Sequence, residues 1–422
     1  MHPTRREMIR LGLGSSALLA CGPTVPLFLA RSADAVAEAE GGAKGRILVV
    51  VQLDGGNDGL NTVVPYRDDE YRKRRPRLAI AAEEVKKIDD RVGLHPELGP
   101  FVKLLESRRL AIVQGVGYPN PNRSHFDSMA IWQTGRTTVD KAAPGWLARA
   151  IDERQNAGPD EGGDAPGLHV HESLPLPAAL AGGRQVVPSM ARLEQFRRRL
   201  GLPPGAEAAA QAAALDRLAS QERGEAGSLL QFVERCSVIT YASSARLERV
   251  RQDSPASGAD YPEFYGLAQR LKLIAQLVKA GLSTPIYYTH LDGFDTHSGQ
   301  LSTHANLLRE LGASLRAFLD DLEKSGDGDR VLVLAFSEFG RRLGENASSG
   351  TDHGTAAPVF LLGKPVRPGL HGQHPDLTRL EDGDPVHTVD FRRVYASLLD
   401  RWLNVPHRNV LGAGFEPMDV LM

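Results

Sequence analysis

Cysteine is nearly missing. The 422-residue chain carries only Cys21 and Cys236. If Cys21 leaves with an N-terminal leader, a single thiol remains, which rules out an internal disulfide framework and any cluster of thiolates around zinc or iron–sulfur. Cys236 lies in the helix-like run Phe232–Cys236 and reads as a buried, inert side chain. Charge of one sign is also lacking. The formal net charge is −2, with 50 basic and 52 acidic residues, so no electrostatic case exists for nucleic acid. There is no Walker or dinucleotide-type glycine pattern, no internal repeat and no coiled coil of useful length. Hydrophobic content of 41% and charged content of 24% are ordinary for a globular α/β protein of one large domain or two average ones.

The first forty residues differ from the rest. Thr4-Arg5-Arg6 precedes an apolar, small-residue stretch from Leu11 to Ala30, and small residues follow around Ala33–Ala37. This is the three-part plan of a secretory signal, and the paired arginines resemble a twin-arginine leader. Residues 1–37 are therefore expected to be an export signal read by the twin-arginine machinery. Residues 38–45 would be a linker, and the mature protein periplasmic or secreted with no membrane span. A transmembrane anchor is the alternative, but Gly12, Gly14 and Pro23 weaken the stretch. Leu18-Leu19-Ala20-Cys21 also offers a lipoprotein cleavage box, a lesser reading because apolar residues continue past Cys21.

Four apolar runs read as strands: Arg46–Leu53, Arg109–Gly115, Thr284–His290 and Val331–Phe336, with a further run at Pro358–Leu362. Amphipathic helices are expected over Leu98–Glu106, Thr303–Lys324 and Thr388–Leu403, and a helical insertion over about 190–282. The alternation predicts an α/β fold with a mostly parallel sheet over 46–422.

Each strong strand ends in polar, metal-competent residues. Ligands bind at the carboxyl ends of strands in open α/β sheets, so the repetition is informative. After the first strand come Asp54, Asn57 and Asp58, after the second Arg123, Ser124 and His125. After the third come His290, Asp292, Asp295 and His297, and after the fourth Glu338, then Asp352 and His353. Asp54, Asp295, His297, Glu338 and His353 form a carboxylate/imidazole set suited to Zn, Mn or Mg rather than copper. Ser124 sits at a predicted helix start, where a cap and an activated hydroxyl are both open readings. Arg123, Asn57 and Arg341 are candidate contacts for an anionic group. The isolated histidines His95, His169, His171, His371, His374, His387 and His407 read as ordinary surface or core residues.

Leu53-Asp54-Gly-Gly-Asn57-Asp58-Gly-Leu-Asn61, Gly293-Phe-Asp295-Thr-His297, Ser337-Glu338-Phe339-Gly340-Arg341 and Thr351-Asp352-His353-Gly354, in this order, resemble the bacterial DUF1501 family. That family resembles the alkaline phosphatase–sulfatase superfamily. The resemblance implies a three-layer α/β/α sandwich, alkaline-phosphatase-like, with bound divalent metal and transfer of phosphoryl or sulfuryl groups. It implies that Asp54 is the first-strand metal aspartate and that Asp295, His297, Glu338 and His353 complete the metal ligands. Ser124 would lie near the nucleophile position. Phe339 stands where a histidine would be expected. Two readings follow: a metal-dependent hydrolase of phosphate or sulfate esters, or a non-catalytic exported binding protein on the same fold.

Overall fold

The run Ile47–Leu53 forms a strand, β1, enclosed along its whole length. Side chains alternate across a strand, so a run apolar at every position needs a cover on both faces. Ile47, Val49, Val51 and Leu53 enter one core, and Leu48 and Val50 enter a second. The first core is closed by helices α1 (Gly99–Glu106), α4 (Gly266–Lys279) and α5 (Gln300–Lys324), through Phe101, Ile274, Leu311, Leu315 and Phe318. The second is closed by α2 (His125–Thr134), α3 (Trp146–Ala157) and α6 (Phe391–Leu398), through Trp132, Trp146, Phe391 and Tyr395. Three layers, α/β/α, result. This computed structural model describes residues 45–140, 142–157, 165–172, 174–190 and 259–422.

The other strands of the central sheet are β2 (Leu110–Gly117), β3 (Leu168–Val170), β4 (Ser189–Met190), β5 (Ile286–Leu291), β6 (Val331–Ser337), β7 (Ala357–Leu362), β8 (Gly369–His371) and β9 (Val389–Asp390). Their order is β8-β2-β7-β6-β1-β5-β3-β4, with β9 also on β2. Pairings are parallel except for β7, which runs antiparallel between β2 and β6. Leu53 of β1 is level with Leu291 of β5 and Ser337 of β6. The next residue in each strand is acidic: Asp54, Asp292 and Glu338 emerge side by side at one edge.

Among the described residues the expected strands and helices lie where the apolar runs put them, with two differences. Helix α5 begins a turn earlier than Thr303, because Gln300 and His304 are buried beneath the first strand's loop rather than exposed. The tail helix expected over Thr388–Leu403 is shorter. Val389–Asp390 pairs with β2, and Asp390 caps α6 by accepting from the Arg392 N–H. The chain then continues as a π-helical turn over Leu399–Leu403. Of the insertion expected at about 190–282, residues 191–258 lie outside the described residues, and α4 packs on α5 and β5 in the helical layer. The leader over 1–37, Cys21 and Cys236 also lie outside them. Among the described residues no helix is long and apolar enough to cross a membrane.

Candidate metal centre

After β6 the chain makes a hairpin, Arg341–Glu345 against Thr351–His353, before β7 runs back across the sheet. The hairpin returns His353 to the edge where β1, β5 and β6 end. Asp295 and His297 arrive there on the loop after β5, and His125 as the first residue of α2. Asp295 Oδ1 lies 3.1 Å from His353 Nε2, 3.1 Å from His297 Nε2 and 3.4 Å from His125 Nε2. His297 Nε2 and His353 Nε2 are 2.8 Å apart. Ligand atoms around a tetrahedral zinc, with bonds of about 2.0–2.1 Å, lie roughly 3.3 Å apart.

The other ring nitrogen of each histidine decides what Nε2 can do. His353 Nδ1 is 2.8 Å from the Arg123 carbonyl, which only accepts, so Nδ1 carries the proton and Nε2 presents its lone pair. His125 Nδ1 meets the Glu338 carboxylate at 2.7 Å, and His297 Nδ1 meets Asp352 at 3.2 Å. A carboxylate or carbonyl behind the ring is the usual support of a metal-binding imidazole. Three lone pairs are then turned toward one carboxylate oxygen, Asp295 Oδ1, which among the described residues takes a side-chain hydrogen bond from Arg341, and this crowding is repulsive unless a cation or proton lies within it. His125 Nε2 is buried without a hydrogen-bond partner. The donor set therefore fits a divalent cation.

Electrostatics agree. Burial alone would raise the Asp295 carboxyl, but the Arg341 guanidinium hydrogen-bonded to it, together with the neighbouring His353, brings it down to about 2. The hydrogen bond from Asn346, with that from His297, holds the Asp352 carboxyl below the usual range. The Glu338 carboxylate raises His125, whereas burial lowers His353.

Other expected residues lie elsewhere. Glu338 is enclosed, and its oxygens accept from the Gly55 N–H, His125 and Ser337, so it stands behind His125 rather than facing the centre. Arg341 was expected to meet substrate. Its side chain is fully buried and its guanidinium is spent on the carbonyls of Gly55, Gly56, Phe294 and Thr351 and on Asp295. It ties three loops together. Asn57 is fully buried too, its Oδ1 accepting from Thr62 and His304, so it does not reach an external anion. Arg123 pairs with Asp384. Ser124 Oγ is the cap of α2, at 3.5 Å from the Asp127 N–H. Phe339, at the position expected for a histidine, packs its ring 4.9 Å from those of His125 and His353. His125 stands outside the ligand set expected from the sequence, where the serine before it reads as a helix cap; an imidazole at the first position of a strand-edge helix is the signal that finds it.

Asp54 belongs to a neighbouring cluster. His290 Nδ1 is 2.8 Å from Asp54 Oδ2, and Asp54 also accepts from Gln52. Ligand atoms of Asp54, His290 and Asp292 all lie within 4.8 Å of one another, as do those of His125, Asp295 and His353. Burial, then the Asp54 carboxylate, raises the Asp292 carboxyl.

Layers and strand-edge cluster together define a three-layer α/β protein with a candidate divalent-cation centre. The chain belongs to the family described as "Protein of unknown function (DUF1501)", whose model matches residues 46–408. No curated protein sequence matches it. Among solved structures, it is similar to the PsFucS1 sulfatase from Pseudoalteromonas sp., at 15% identity and TM-score 0.38, over 93% of this chain and 75% of that one. It is similar to a phosphonate monoester hydrolase from Silicibacter pomeroyi, at 11% identity and TM-score 0.34, over 88% and 77%. A Vibrio parahaemolyticus protein of the alkaline phosphatase superfamily matches at 9% identity and TM-score 0.32, over 79% and 63%.

Proposed function

We propose that this chain is an exported, metal-dependent hydrolase of phosphate or sulfate esters. The observation that carries the reading is the convergence of His125, His297 and His353 Nε2 on Asp295 Oδ1, each ring backed by an acceptor at Nδ1. A cation held there supplies Lewis-acid polarisation of an ester oxygen and acidifies a water nearby. The residues do the rest. Glu338, Asp352 and the Arg123 carbonyl fix ring orientation, and Arg341 fixes Asp295. His125 is the first residue of α2, so the positive end of that helix faces the same place and favours an anionic substrate. Residues 1–37 would direct export, a role that N-terminal sequencing of the secreted or periplasmic protein checks.

The test is turnover. Metal-stripped protein reloaded with zinc or manganese should hydrolyse an aryl phosphate or aryl sulfate. His353→Ala should lower kcat/KM at least a hundredfold, the loss of about 2.7 kcal/mol of transition-state stabilisation. Metal-loaded protein that turns over neither ester, or a His353→Ala variant as active as the parent, contradicts the reading.

A second reading, a non-catalytic exported binding protein, is favoured by one observation: Ser124 is engaged as a helix cap and Arg123 is held by Asp384, so the expected nucleophile and clamp both have structural work. Bound metal without turnover would select it.

A further inference from the structure

We propose a second divalent-cation site beside the first, formed by Asp54, His290 and Asp292 at the ends of β1 and β5. It does not depend on the reading above. The parallel register sets Leu53 level with Leu291, so Asp54 and Asp292 leave adjacent strands together, with His290 one position before the end of β5. The three ligand atoms lie within 4.8 Å of one another. His290 is 4% exposed and Nδ1 points at Asp54 Oδ2, 2.8 Å away.

Two features separate this cluster from a plain ion pair. First, two carboxylates converge on one imidazole, and among the described residues neither carboxylate forms an ion pair with a lysine or arginine. Arg270, the cation close by, gives its hydrogens to Thr289 Oγ1 and the His290 carbonyl instead. Two carboxylates and a neutral imidazole balance one divalent charge. Second, the cluster is backed by buried imidazole nitrogens with no hydrogen-bond partner, His290 Nε2 and His169 Nε2. Buried polar atoms left unpaired are uncommon and mark places where a further group is expected. His171 Nε2 stands 3.8 Å from Asp292 Oδ2 on the remaining side. Asp292 is 57% exposed at its side chain, giving an ion a way in. An imidazole with two carboxylates suits zinc or manganese better than calcium, which takes oxygen ligands alone.

The experiment is a count. The metal-stripped mature protein is dialysed against excess zinc, and bound zinc is measured by elemental analysis, with circular dichroism to check folding. Two zinc ions per wild-type chain are expected, one for Asp292→Asn, one for His353→Ala and none for the double variant. Asp292 is largely exposed, so its variant keeps the fold; His290→Gln serves as a second probe. An Asp292→Asn variant holding as much zinc as wild type overturns the proposal. A single wild-type zinc that is lost in Asp292→Asn but kept in His353→Ala supports this site and refutes the centre proposed above. A single zinc with the reverse pattern refutes this site and leaves that centre standing.

Discussion

At the scale of single residues, the histidines divide by what holds each ring. Those of the candidate centre have Nδ1 held by an acceptor and Nε2 turned toward Asp295. His304 is the opposite: its Nε2 donates to Asn57 Oδ1, and complete burial lowers it from 6.5 to about 3. An unfolded chain takes up a proton on this ring as pH falls through 6.5, and the folded chain does not until about 3. Stability is therefore full above that window and declines on acidification through it. Asp58 behaves differently. Its burial would raise the carboxyl, but Arg75 and His304 lower it below 3.8, so its contribution is present above 3.8 and is lost as pH falls through the folded value. Urea unfolding across pH should show a stability loss beginning near pH 6.5, made shallower by His304→Gln. Asp58→Asn should destabilise the protein by about 3–5 kcal/mol at neutral pH, since it strands a buried guanidinium. Both partners of the Asp58–Arg75 pair are 0% exposed, so salt should change little. An acid limb unchanged by His304→Gln would refute this account of the loop after β1.

At the scale of elements, the strands were legible because an apolar run buried on both faces has few other uses, and their polar ends followed. Less legible was which polar end residues face outward. The motif Asp54–Asn61 reads as a single functional loop, yet among its residues only Asp54 joins a candidate cation cluster. Asn57, Asp58 and Asn61 turn inward to Thr62, Arg75 and Tyr71, partners brought together by tertiary packing that no local spacing reveals. Gly55 is what lets that loop pass the next one. Its φ is +115°, and a Cβ there would fall 2.4 Å from the Asp295 backbone nitrogen. Gly55→Ala should cost about 1–3 kcal/mol of stability and displace Asp295. Zinc affinity at the His125–Asp295–His297–His353 centre should fall at least tenfold in calorimetric titration, although no ligand is altered. Unchanged affinity would show that the two loops do not position each other.

At the scale of the whole molecule, the layers set which distant segments can meet. Parallel register levels the ends of β1, β5 and β6, and the antiparallel β7 is entered through the hairpin that carries His353. Thus residues 125, 295, 297 and 353 gather at one edge because of topology, and sequence order alone pointed only to the last three. Arg341 departs from its expected role for the same reason: an arginine in a polar motif looks available, but the hairpin folds it under the β1 and β5 loops. The account's central claim is that this edge grips a metal through those four side chains. Anomalous diffraction at the zinc edge from zinc-soaked crystals of the mature protein tests it most directly. The prediction is a peak about 2.0–2.1 Å from Nε2 of His125, His297 and His353, with Asp295 completing the shell. Zinc peaks confined to other parts of the surface, or no peak at all, would contradict it.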